Sequence, residues 1–177
     1  MPPESVRQQI VALAHLDLSQ TNLSPAQLTA YTQSLQNLMA QGQAAFVGAT
    51  SQMPPAEIER GAANMKLLAP DQGGAFAVAA ANAALTAAAA NPNKEDVGAL
   101  FRVLQENGGP ESVPQIESLA NNWKYYSTIA LANLDNNAGV PSLIRMVSDA
   151  DGPVRGNRDA ALKVLAQVAP NSPEALA

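Results

Sequence analysis

Val97-Gly98-Ala99-Leu100-Phe101-Arg102-Val103-Leu104 and Val140-Pro141-Ser142-Leu143-Ile144-Arg145-Met146-Val147 are one pattern written twice, 43 residues apart. In each, apolar residues stand at i, i+3, i+4 and i+7, positions that share one face of a helix with 3.6 residues per turn. Each has an arginine at i+5, off that stripe. A half-buried strand would alternate instead, so both segments read as amphipathic helices with the arginine turned away from a core.

The same period extends outward in both directions. Downstream, a helix over about 157–169 aligns Ala161, Val164, Leu165 and Val168. Between the two octets, a long helical stretch over about 113–134 carries Ile116, Leu119, Trp123, Tyr126, Ala130 and Leu134, with a bend expected at Asn121-Asn122. Upstream, helices are expected over about 5–17 (Val6, Ile10, Leu13), 25–41 (Leu28, Tyr31, Leu35, Leu38, stopping at Gly42), 55–69 (Ile58, Ala62, Met65, Leu68), 74–90 and 95–106. The helix over 55–69 is weakened by Gly61 in its interior. The stretch over 74–90 is mostly alanine, whose small side chain lets neighbouring helices approach closely, so it is expected to be central and surrounded. Ser5 to Gln8, Ser24 to Gln27 and Ser112 to Gln115 have the serine-to-glutamine spacing of a capping box, and Pro25 suits a first helical position. Ser172-Pro173-Glu174 opens a further helix. Gly73-Gly74 and Gly108-Gly109 read as hinges between helices.

Composition agrees with an all-α chain. Of 177 residues, 47% are hydrophobic but only 4% aromatic, so the apolar content is largely Ala, Leu and Val. The length suits one domain with its own core. A net charge of −5 argues against nucleic acid, which demands a basic face. There is no cysteine, hence no disulfide, thiolate nucleophile or cysteine-ligated metal. The apolar stretch 75–90 is shorter than the ~20 residues a membrane span needs, and the N-terminus shows no leader pattern. The expectation is a soluble chain, cytoplasmic by default and periplasmic if a signal was trimmed.

The joints recur as well. Asp135-Asn136-Asn137, Ala169-Pro170-Asn171 and Asn91-Pro92-Asn93 each link an apolar helix end to a new amphipathic helix, giving hairpins with a period of ~34–46 residues, in the range of α-solenoids. At this point the chain resembles the HEAT/armadillo family of helical repeats over roughly residues 85–177. Ala138-Gly139-Val140-Pro141-Ser142-Leu143-Ile144 is similar to the start of an inner repeat helix, and Ala160-Ala161-Leu162-Lys163-Val164-Leu165-Ala166 to an outer or succeeding one. Val113-Pro114-Gln115-Ile116 is a weaker echo, and the stretch from Leu38 to Val47 a degenerate one. The resemblance implies an α-α superhelix of stacked hairpins: a scaffold or adaptor that binds a protein or peptide along one face, without catalytic residues or cofactors. Repeat lengths are uneven, and a compact bundle with HEAT-like pieces stands beside the regular solenoid. Residues 1–177 are read as one all-α domain, 1–70 being a capping or degenerate-repeat part and 71–177 the repeat part.

Little in the sequence carries chemistry. His15 is the only histidine and sits off its helix's apolar stripe, so a typical zinc site lacks ligands. Glu57 and Glu59 are two apart and point in different directions on a helix; Glu95 and Asp96 suit a helix start. Asp149-Ala150-Asp151-Gly152-Pro153 lacks the later ligands of a calcium loop. No serine-histidine-acid set can be assembled. The candidate partner-binding residues are Trp123, Tyr125, Arg102 and Arg145. Trp123-Lys124-Tyr125-Tyr126 gathers three of the chain's few aromatics; Trp123 and Tyr126 are expected on the core face and Tyr125 away from it. The two arginines either meet acidic groups of a partner or pair with nearby carboxylates. The functional expectation is a non-catalytic interaction module. The alternatives are a helical bundle binding a small apolar ligand, suggested by the alanine-rich stretch, and a structural domain of a larger protein.

Overall fold

The computed structural model describes residues 24–51, 53–90, 97–148 and 158–168, and among them every regular element is helical. The chain divides into two compact units, Met1–Val103 and Leu104–Ala177. The expected helix over 5–17, His15, Glu95, Asp96, the Asp149–Pro153 segment and the opening at Ser172 lie outside the described residues.

In the first unit, α1 (Pro25–Met39) begins as its sequence announces. The Ser24 hydroxyl accepts from the Gln27 amide at 3.2 Å, and the Ser24 amide donates to the Gln27 side-chain oxygen at 2.9 Å. Ser24→Ala is expected to lower stability by about 1 kcal/mol, read as a fall in the urea midpoint; an unchanged midpoint would mean the cap does not matter. Leu35, Leu38 and Met39 are buried, whereas Leu28, earlier on the same stripe, is exposed. At Gly42 the backbone takes φ +92°, a conformation that glycine adopts without strain, and the chain turns into α2 (Gln43–Thr50). No stripe foretold this helix; it buries Phe46 and Thr50.

Next come α3 (Pro55–Leu68) and α4 (Gly73–Ala90), which pack along each other. α2 lies on α4, and α1 on α3 and α2. Phe46 meets Phe76 edge to face, ring centroids 5.5 Å apart. Gly73 is no hinge: a Cβ there would stand 2.8 Å from the Met65 carbonyl oxygen, so its bare Cα permits the α3–α4 approach. The expectation that the alanine-rich helix is surrounded is not met. Only Gly73, Ala77, Ala80, Ala81 and Leu85 of α4 are buried among its described residues, because α2 and α3 cover one side of it. By length and hydropathy alone α4 could cross a membrane, yet its buried residues are those packed in this bundle. From Ser24 to Ala90 the only charged residues are Glu57, Glu59, Arg60, Lys66 and Asp71, so α1, α2 and α4 carry none.

The division between units falls inside α5 (Gly98–Asn107), the first of the two octets. Leu100, Phe101, Val103 and Leu104 are all buried to within 1% and Arg102 is exposed, as the pattern requires.

In the second unit a 3-10 turn (Pro110–Ser112) leads into α6 (Val113–Ser118), then α7 (Lys124–Asn133), a second 3-10 turn (Asp135–Asn137), α8 (Val140–Ser148) and α9 (Arg158–Val168). α7, α8 and α9 pack pairwise, with α6 against α7. The long helix expected over 113–134 is two helices, broken across 119–123 at the asparagines where a bend was anticipated. Ser112 is not a cap. It has helical φ and ψ, it is 1% exposed, and its hydroxyl is unpaired, because the preceding 3-10 turn already supplies the helical entry. α8 buries Val140, Ser142, Leu143 and Met146, and α9 buries Ala160, Ala161, Val164 and Leu165. The α7–α8 joint turns through Asn136 and Asn137 at φ 57° and 55°, left-handed values that asparagine tolerates better than most residues.

Candidate functional site

The position where α7 starts decides how its aromatics lie. Trp123 has φ −136° and ψ 71°, outside the helix, so its spacing to Tyr126 is not a helical i, i+3 relation. The buried face of α7 is set by Ser127, Thr128, Ala130 and Leu131. Thr128 turns its hydroxyl back to the carbonyls of Lys124 and Tyr125, each at 3.0 Å. Trp123 is half-buried, while Tyr126 is 40% exposed. The expectation of Tyr126 in the core is therefore corrected. Tyr125 does point away from the core, at 61% exposure, with the Lys124 ammonium 5.3 Å from its ring centroid.

Ile129 completes this surface. It is 43% exposed, one helical turn beyond Tyr125, and sequence reasoning missed it. The signal was available: a large β-branched residue four positions after Tyr125 and off the stripe. Ile129 also edges a hollow of about 370 Å³ between α7 and α9, walled by Asn133, Asn137, Val164 and Gln167. The Asn133 side-chain amide donates to the Ile129 carbonyl at 2.8 Å, fixing one wall.

Each arginine faces away from the core and meets a carboxylate in its own unit. Arg102 pairs with Glu59 of α3 through Nε and, at 3.2 Å, through Nη2. Arg145 pairs with Glu117 of α6 and contacts the Ser142 hydroxyl at 3.1 Å. The arginine side chains are 52% and 64% exposed, so each pair contributes roughly 0–1 kcal/mol. Ser142 donates to Glu117, but at 1% exposure its hydroxyl is out of a substrate's reach. Among the described residues no group of three histidine, cysteine or acidic side chains converges on a metal-sized space.

In the first unit an apolar crevice runs between the helices, lined by Leu35, Phe46, Met53, Gly61, Met65 and Ala80 among others. It has room for about one water molecule. Its polar group, Thr50, donates its hydroxyl to the Val47 carbonyl at 3.1 Å. Gly61 costs α3 about 1 kcal/mol relative to alanine.

Compared with known proteins, the chain matches no protein family, no curated protein and no solved structure.

Proposed function

We propose that this chain is a non-catalytic helical scaffold of HEAT/armadillo type, its hairpins stacked as an irregular α-α superhelix, and that it binds a protein or peptide partner through α7. The observation that carries this reading is the exposure of Tyr125, Tyr126 and Ile129 on one helix, at 61%, 40% and 43%. Large side chains cost solvation free energy when left in water, and aromatic residues dominate interface energetics. Arg102 and Arg145 are already paired with Glu59 and Glu117, so a partner's carboxylate would have to compete for each of them.

The test is a photo-reactive phenylalanine analogue at position 125 in the native host, with Leu67, 62% exposed in the other unit, as the control position. A discrete protein adduct from position 125, absent from position 67 and lost when Ile129→Asp is added, is expected. No adduct from position 125, or the same adducts from both positions, would overturn the reading. Ile129 is partly covered at the edge of the α7–α9 hollow, so the urea midpoint of Ile129→Asp is read alongside; loss of the adduct in a variant still folded under the labelling conditions reports binding rather than unfolding.

A further inference from the structure

The hollow between α7 and α9 differs from the crevice of the first unit in size and in chemistry. At about 370 Å³ it has ample room for a side chain. Three carboxamides line it, from Asn133 of α7, Asn137 of the joint and Gln167 of α9, and none of its described lining is charged. Asn133 spends one amide proton on the Ile129 carbonyl, which leaves its side-chain oxygen to accept. The side chains of Asn137 and Gln167 bond to no described residue. Asn137 reaches the hollow from a turn with two successive left-handed residues, φ 57° at Asn136 and 55° at Asn137. That conformation costs any residue but glycine some free energy, and it clusters where ligands are held. Ile129, Val164 and Val168 supply an apolar side.

From this we infer that the hollow receives an uncharged carboxamide side chain, glutamine before asparagine, of the partner that docks on α7. The inference rests on the α7 reading, because Ile129 belongs both to the exposed face and to the rim of the hollow. Tyr125 to Asn133 covers about 12 Å of helix, so one short bound segment reaches from the rings to the amides. A carboxamide carries a donor and an acceptor in one plane, and so does each group it would meet, so two can join by a pair of parallel hydrogen bonds. A carboxylate offers acceptors alone and an ammonium or guanidinium donors alone, and either brings a charge with no opposite charge in the lining. The two methylenes of a glutamine lie against Ile129, Val164 and Val168; the single methylene of an asparagine covers less of them.

The experiment is a titration of the full ¹⁵N-labelled chain with N-acetylglutamine methylamide and separately with N-acetylglutamate methylamide, followed at the side-chain amide resonances. Saturable shifts at Asn133, Asn137 and Gln167 are expected for the glutamine compound, with a dissociation constant on the order of 1 mM for so small a ligand. Binding of the glutamate compound should be about tenfold weaker or more. Gln33 and Asn37, which bond to each other at 3.1 Å on α1, should not move. Gln167→Leu and Asn137→Asp should each weaken the glutamine compound about tenfold; both sites are exposed, and aspartate tolerates the left-handed turn. No saturable shift, equal affinity for the glutamate compound, equal shifts at Gln33 and Asn37, or undiminished binding in both variants would overturn the inference. Such a failure beside a discrete adduct from position 125 strikes the hollow alone. Absence of that adduct strikes the α7 surface, and with it the partner this inference requires, whatever the titration shows.

Discussion

Gly139→Ala is expected to destabilise the protein by about 3 kcal/mol or more. A Cβ at residue 139 would lie 2.0 Å from the Leu131 carbonyl oxygen and 2.6 Å from its carbonyl carbon and Cα. These are backbone atoms of α7, and Leu131 itself is fully buried, so nothing there is free to yield. On the other side Gly139 is held by its own carbonyl, which accepts from the Leu143 amide at 3.2 Å in the first turn of α8. The only relief is to pry α8 away from α7, which strips cover from Val140 and Leu143. A lowered urea midpoint, with amide protons of α7 and α8 exchanging faster, would show it. Gly48→Ala is the control: a Cβ there meets nothing within 4 Å, the residue lies inside α2, and the change should add up to about 1 kcal/mol. If both variants unfold at the same midpoint, the close approach at Gly139 is not what holds the joint.

Phe101→Ala should lower stability by about 3–5 kcal/mol. Among the described residues Phe101 is the largest side chain with no exposure, and three further buried residues of α5, Leu100, Val103 and Leu104, share its burial. Removing the ring leaves a hole that a helix so occupied on the same face cannot close by a rotamer change. The neighbouring Arg102→Ala removes an exposed pair with Glu59 and should cost less than about 1 kcal/mol. Two adjacent truncations with such different costs make a direct test of the i, i+3, i+4, i+7 reading. Similar midpoints for the two variants would refute it.

The all-helical character and most of the helices were legible because a stripe of Leu, Val, Ile and Phe at helical spacing has one arrangement that buries it. The octets are the clearest case, their arginines exposed as the pattern demands. α2 was not legible: eight residues with only Phe46 and Thr50 buried make too short a stripe to register. Tyr126 was misplaced because its phase was counted from Trp123, and a helix that starts one residue later puts a different set inward. Alanine misled in another way. It fits a buried and an exposed helix face almost equally well, so composition alone cannot say how much of α4 is covered. Of the candidate site, Tyr125 and the two exposed arginines were visible as residues off the stripe. Which carboxylates the arginines meet depends on tertiary packing that no local spacing encodes.

The placement of charge in the first unit has a consequence for how the protein behaves in concentrated solution. Between Ser24 and Ala90, α1, α2 and α4 meet water through alanine and uncharged polar side chains, while the acids and bases of that stretch sit on α3 and the turn after it. Debye screening has nothing to act on along those three helices. Excluded solutes do, because sulfate and osmolytes raise the cost of exposing weakly hydrated surface whatever its charge. The protein should therefore follow the Hofmeister series more closely than ionic strength, salting out in sulfate at concentrations where chloride of equal ionic strength leaves it dissolved.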